Sequence, residues 1–169
     1  MSRPLIIGVG NTMYGDDGAG YCVARAMRTC IPSTADVDVE PRQTISLGDA
    51  ALLINRSVVV IIDAGIGIDG VEVYEVSGSD ELPIRLEDSH SIDPLRLIEI
   101  ASAAGFRGRV FLVLIPIRDT EFGKGLSGEA MKNAVKAASM VCILLGFDVC
   151  PVRCIEERMG DCLGEPLID

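Results

Sequence analysis

The sequence predicts an α/β sandwich around a mostly parallel sheet. Three observations carry this expectation. Apolar strand-like runs alternate with segments of helical period along the chain. The clearest strand run is continuous and β-branched, the pattern of a strand buried on both faces. A glycine-rich loop joins the first strand to the first helix.

The elements follow in order. Pro4 to Val9 (PLIIGV) is a short apolar run and reads as a buried strand. Ala19, Cys22, Val23, Ala26, Met27, Cys30 and Ile31 then recur at the spacing of one helix face. Val37 to Glu40 reads as a short strand and Leu47 to Asn55 as a helix. Ser57 to Asp63 (SVVVIID) is the clearest strand and ends in a carboxylate. Val71 to Val76 (VEVYEV) alternates, as a half-exposed strand at a sheet edge does. Asp93-Pro94 opens a helix, with the aspartate as N-cap and the proline at the first helical position. That helix runs to about Ala104 and stops at Gly105. Arg109 to Ile117 is another buried strand, and Ser127 to Leu145 carries the apolar stripe of an amphipathic helix. From Pro151 onward no period is clear. The chain is therefore expected to form one domain over residues 1–169, with an irregular cysteine-containing tail from about 150.

Charge and composition exclude several classes of function. The chain has 169 residues and a formal net charge of −10. Such a chain gains little from counterion release, so nucleic acid is not an expected partner. An anionic membrane surface is disfavoured for the same reason. The longest apolar stretch, Ala137 to Phe147, is too short to span a bilayer, and the first residues lack the form of a signal peptide. The expected location is cytoplasmic, where the six cysteines would be reduced. The spacing of Cys142, Cys150, Cys154 and Cys162 fits no standard zinc or iron–sulfur pattern. They read as one buried helix cysteine and a few tail thiols.

Three segments place polar groups where strands end and helices begin, the usual place for sites in open α/β sheets. The first is GVGNTMYGDDGAG, residues 8–20, with Asp16 and Asp17. Gly8 and Gly10 fit a dinucleotide fingerprint, but its third glycine is Met13. No lysine makes it a P-loop. Two carboxylates at a helix start would repel a pyrophosphate there, while the helix dipole stabilises them. Helix capping accounts for one aspartate and leaves the other open to function. The second segment is the strand end at Asp63, where capping of the following Ala64-Gly65 turn is the structural alternative. The third is His90, the only histidine of the chain, between Ser89 and Ser91 in a polar loop. Two carboxylates and one imidazole suit a borderline divalent metal such as zinc, nickel or cadmium, with coordination positions left open.

Taken together these residues resemble the hydrogenase maturation endopeptidases of the nickel-iron type. The likeness is carried by Gly8, Gly10 and Asn11, then Asp16, Asp17 and Gly20, then IIDA at Asp63 and SH at Ser89-His90. Ile115-Pro116 and the GLS of Gly125 to Ser127 continue it, so that it spans about residues 4–147. The resemblance implies a three-layer α/β/α sandwich with a mostly parallel twisted sheet. It also implies an endopeptidase that removes the C-terminal extension of a nickel-iron hydrogenase large-subunit precursor after nickel insertion. The nickel is then carried by the substrate, with cadmium or zinc as substitutes. Asp17, Asp63 and His90 become the metal contacts, Asp17 and Asp63 the catalytic candidates, and Asp16 and Asn11 supporting residues. The metal would polarise the scissile carbonyl or activate water; alternatively, Asp17 or Asp63 acts as general base. Relatives often carry a glycine-rich segment after the second strand, preceded by an acid. Here the stretch reads EPRQTISLGD, with Glu40 in the place of that acid.

Two other functions stay open at this point. One is a non-catalytic nickel-sensing or chaperone module on the same fold, which would use the same ligands. The other is a dinucleotide-dependent oxidoreductase, against which Met13 and the aspartate pair both argue.

Overall fold

Residues of β1 (Leu5–Val9) and β3 (Val58–Ile66) alternate between two separate cores. Ile6, Val60 and Ile62 face one core; Leu5, Ile7, Val59 and Ile61 face the other. All seven are fully buried, which is why the runs are continuously apolar instead of alternating. The structure is a computed structural model that describes residues 2–80 and 92–162, together with the backbone of Arg85 and Leu86.

Between and after these strands run α1 (Ala19–Cys30), β2 (Asp38–Arg42), α2 (Ala50–Leu53), β4 (Glu72–Val76) and β5 (Arg85–Leu86). They are followed by α3 (Pro94–Ala103), β6 (Arg109–Pro116), α4 (Gly128–Leu144) and α5 (Val152–Gly160). The sheet order is β2-β1-β3-β6-β4, with β5 added to the end of β3. β1, β2, β3 and β6 are parallel; β4 runs antiparallel on β6 at the edge, as its alternating sequence requires. Helices α1, α4 and α5 cover one face and α2 and α3 the other. The three-layer α/β/α sandwich with a mostly parallel sheet is thus the observed architecture. Among the described residues no helix is long and apolar enough to cross a membrane.

Local signals set several boundaries as expected. Asp93 caps α3 by accepting the Arg96 N–H at 2.9 Å, with Pro94 next in line. Ser127 caps α4 by accepting the Ala130 N–H at 3.1 Å. The helix expected over Leu47 to Asn55 is shorter: a 3₁₀ turn at Leu47–Asp49 leads into the four residues of α2. Asn55 then adopts φ 64°, a left-handed conformation that no helix continues through.

Two expectations about the C-terminal part are corrected. Residues 152–160 form a helix, α5, whose Ile155 and Met159 are fully buried in the core beneath α1 and α4. The cysteines are not reduced thiols. Cys22 pairs with Cys162, Cys30 with Cys154, and Cys142 with Cys150. All six cysteines of the chain are used. One bond, Cys30–Cys154, staples α5 to α1, and Cys22–Cys162 ties the residues just after α5 to the same helix, so a short segment without an obvious apolar period is held by covalent links. This pairing removes the reduced-thiol argument for a cytoplasmic location.

Candidate functional site at the sheet switch point

The chain leaves β1 for β2 on one side, and β3 lies on the other side of β1. This reversal makes the carboxyl ends of β1 and β3 the topological switch point, where open α/β sheets form their clefts. Asp17 and Asp63 both belong to this edge. Val9 ends β1; Gly10 to Tyr14 cross the edge to a 3₁₀ turn, Gly15–Gly18, that carries Asp16 and Asp17 and lies against β3. Gly8 of β1 is in register with Ile62 of β3, and Asp63 follows directly. Past that point β5 pairs with Gly65 and Ile66 on the side of β3 that β1 has vacated.

Glycines make this packing possible. A Cβ at Gly20 would sit 2.6 Å from the Ile62 carbonyl oxygen and would collide with that of Val9. One at Gly10 would collide with the Asp17 carbonyl oxygen. The glycines of the motif therefore seat α1 and its 3₁₀ turn on the strand ends; they are occupied by the protein's own backbone.

The two adjacent aspartates have different tasks, and neither caps α1. Asp16 is fully buried. Its carboxylate accepts four hydrogen bonds: from the Arg118 and Asp119 N–H groups at 3.2 and 3.1 Å, and from the Ser127 N–H and hydroxyl at 2.7 and 3.0 Å. The Asp16 N–H in turn donates to the Asp119 carbonyl at 2.8 Å. Asp16 thus clasps the loop between β6 and α4 to the opening loop, a supporting role. Asp17 is half-buried, and its Oδ2 accepts the Asn11 N–H at 3.1 Å. The helix N-cap is Gly18, with no side-chain hydrogen bond. Asn11 supports the loop by accepting the Met13 N–H on its side-chain oxygen at 3.0 Å.

Asp63 is also half-buried, and its Oδ1 accepts the N–H of Ala64 at 2.8 Å. The expected strand end and turn are corrected: β3 continues through Asp63, Ala64 and Gly65 to Ile66, because β6 and β5 go on pairing with these residues. His90, with Ser89, lies outside the described residues; in sequence it stands four residues past Leu86 and three before Asp93. Among the described residues no three His, Cys, Asp or Glu side chains are placed to hold a metal ion.

The stretch after β2 is more firmly tied than a glycine-rich loop would be. Arg42 donates to Asp49 at 3.0 Å and to Glu40 at 2.8 Å. Glu40 is held in this ion pair with Arg42. Burial pulls the Arg42 pKa down, but its bonds to Asp49 and Glu40 outweigh this and raise it. Gln43 and Thr12 are joined by two hydrogen bonds, a contact that sequence alone gave no signal for. Beside the opening loop lies a shallow crevice lined by Thr12, Gly15, Gly18, Gly125, Leu126 and the Cys22–Cys162 pair.

No family model and no curated protein matches the sequence. Solved structures do. The hydrogenase maturating endopeptidase HybD from Escherichia coli superposes with a TM-score of 0.65 at 19% identity, over 85% of this chain and 92% of that one. The NiFe hydrogenase maturation protease HycI from Thermococcus kodakarensis gives 0.63 at 23% identity, over 86% and 93%. The endopeptidase HycI from Escherichia coli gives 0.64 at 20%, over 88% and 93%. The fold is that of the hydrogenase maturation endopeptidases. Within the maturation-endopeptidase fold, the opening motif and the IIDA strand occupy the two sides of the switch point, as described above.

Proposed function

We propose that this chain is an endopeptidase that removes the C-terminal extension of a nickel-iron hydrogenase large-subunit precursor after nickel insertion. One observation carries the reading: Asp17 and Asp63 are brought to the same switch-point edge of a maturation-endopeptidase fold. A pair of carboxylates is too few ligands to retain a metal, but enough to approach one that the substrate already holds. His90 completes the set as a nitrogen donor, four residues beyond the strand that pairs with Gly65 and Ile66. The substrate's nickel then serves as the recognition element, and an empty precursor is left uncut.

In this reading the chain's own residues do three things. Asp17, with Oδ2 fixed on the Asn11 amide, presents its second oxygen in a set direction. Asp63, whose Oδ1 accepts the Ala64 N–H, sits on β3 and takes a proton from attacking water as general base. Asp16 keeps the β6–α4 loop against the opening loop and touches no substrate. Nickel bound in the substrate supplies the Lewis acidity.

The test is cleavage of a nickel-loaded precursor, followed by mass, with the nickel-free precursor as control. Cleavage that needs nickel and is lost in Asp17→Asn, with folding intact, supports the reading. A cadmium titration of wild type and His90→Ala separates site from chemistry. Binding lost in His90→Ala but no cleavage by wild type would favour the non-catalytic nickel-sensing module.

A further inference from the structure

The last residue of β2, Arg42, and the residue after it, Gln43, grip the opening loop at three points. The Arg42 carbonyl accepts the Gly10 N–H at 3.0 Å. The Gln43 side chain makes the other two bonds: its Oε1 accepts the Thr12 N–H at 3.1 Å, and its Nε2 donates to Thr12 Oγ1 at 3.1 Å. A primary amide offers one acceptor and one donor end, and Thr12 presents the complementary pair. No other side chain among the described residues bonds to Thr12.

Thr12 is the next residue to Asn11, whose N–H donates to Asp17 Oδ2 at 3.1 Å. It also packs on the turn from outside, since a Cβ at Gly18 would lie 2.8 Å from the Thr12 Cα. The direction of the Asn11 N–H is set by the path of the chain through residues 10–12, and Gln43 and Arg42 fix that path at both ends. Arg42 is itself anchored to Asp49. The carboxylate of Asp17 can turn only as far as this amide lets it.

We propose that Gln43 is a positioning residue: acting through Thr12 and Asn11, it holds the Asp17 carboxylate in the orientation the site uses. The inference rests on the reading that Asp17 serves the reaction. Gln43 touches no substrate. Partners that orient a metal-contacting or catalytic side chain in this way typically change affinity or activity by about 10–100-fold when removed.

Gln43→Ala removes both bonds to Thr12. Gln43→Glu keeps them, because a carboxylate accepts the Thr12 N–H and the hydroxyl turns to donate. Three quantities are read: amide hydrogen exchange at Asn11 and Thr12, cadmium affinity, and kcat and KM on the nickel-loaded precursor. In Gln43→Ala, exchange at the two amides should rise about tenfold or more while amides of β1 and β3 are unchanged. Cadmium affinity and kcat should each fall about tenfold or more, with KM within twofold. Gln43→Glu should restore most of the exchange protection and kcat. Unchanged exchange, or a kcat and cadmium affinity within twofold of wild type in Gln43→Ala, overturns the inference. A wild-type protein that cuts no precursor counts against the endopeptidase reading alone, because exchange and cadmium binding decide the role of Gln43 without cleavage.

Discussion

The carboxylate of Asp16 reaches Ser127 across 111 residues of chain, accepting its backbone N–H at 2.7 Å and its hydroxyl at 3.0 Å. One buried charge thereby joins the loop after β1 to the loop before α4. The neighbouring Asp17 makes no such contact. Adjacent, chemically identical side chains thus differ in their tasks: Asp16 is a buried clasp, while Asp17 accepts only the nearby Asn11 N–H.

That division gives opposite mutant phenotypes. Asp16→Ala leaves three backbone N–H groups and one hydroxyl without their acceptor and should lower stability by about 3 kcal/mol or more. Asp17→Asn should leave the urea midpoint nearly unchanged while kcat on the precursor drops by about 10²-fold or more. Urea unfolding and cleavage measured on both variants check the pair. Equal loss of stability in the two would contradict the assignment.

Gly20→Ala is the simplest test of the switch-point packing. The added methyl meets the carbonyl oxygens of Val9 and Ile62, which belong to two different strands and cannot yield separately. A loss of about 1–3 kcal/mol is expected. Gly128→Ala, where a Cβ meets nothing within 4 Å, is the control that should not destabilise.

The disulfides make stability depend on redox state. A thiol assay in denaturant should find no free thiol before reduction and all six cysteines after it. Replacing Cys30 and Cys154 by alanine removes a link across 124 residues and should cost about 2–4 kcal/mol. Native-state proteolysis should then begin near α5, the helix that this bond ties to α1. A melting temperature indifferent to reductant would count against the pairing.

Asp49 gives stability an acid limb. Burial pushes its carboxyl up, but the Ser46 N–H and the Arg42 guanidinium outweigh this and hold it below the ordinary aspartate value. A carboxyl lowered on folding contributes fully above its unfolded pKa, and that contribution fades as pH falls through the lowered value. Wild type should therefore lose part of its stability below about pH 4. Asp49→Asn, less stable by about 1–3 kcal/mol at pH 7, should show a smaller loss over the same range. Urea midpoints at pH 7, 4 and 3 measure both.

Much of the framework was legible because its signals are local. The run SVVVIID became β3, VEVYEV an edge strand, and Asp93-Pro94 and Ser127 became helix starts, each from neighbours within a few residues. Reading Leu47 to Asn55 as one helix failed because the left-handed conformation at Asn55 and the 3₁₀ turn before α2 interrupt the pattern. Helix α5 escaped because its anchors, Cys154 and Cys162, find their partners 124 and 140 residues away.

The sequence by itself determined the alternation of strands and helices, the carboxylates at the strand ends and the likeness that suggests an activity. Periodicity and capping are short-range, so they survive in a linear reading. Only the tertiary structure decided that Asp16 is a clasp, that the cysteines pair, that Glu40 pairs with Arg42, and that Gln43 reaches Thr12 from 31 positions away. Each of these depends on which groups the sheet order brings within about 3 Å, the range over which a hydrogen bond forms. Proximity of that kind is a property of the folded chain, and no residue pattern encodes it one position at a time.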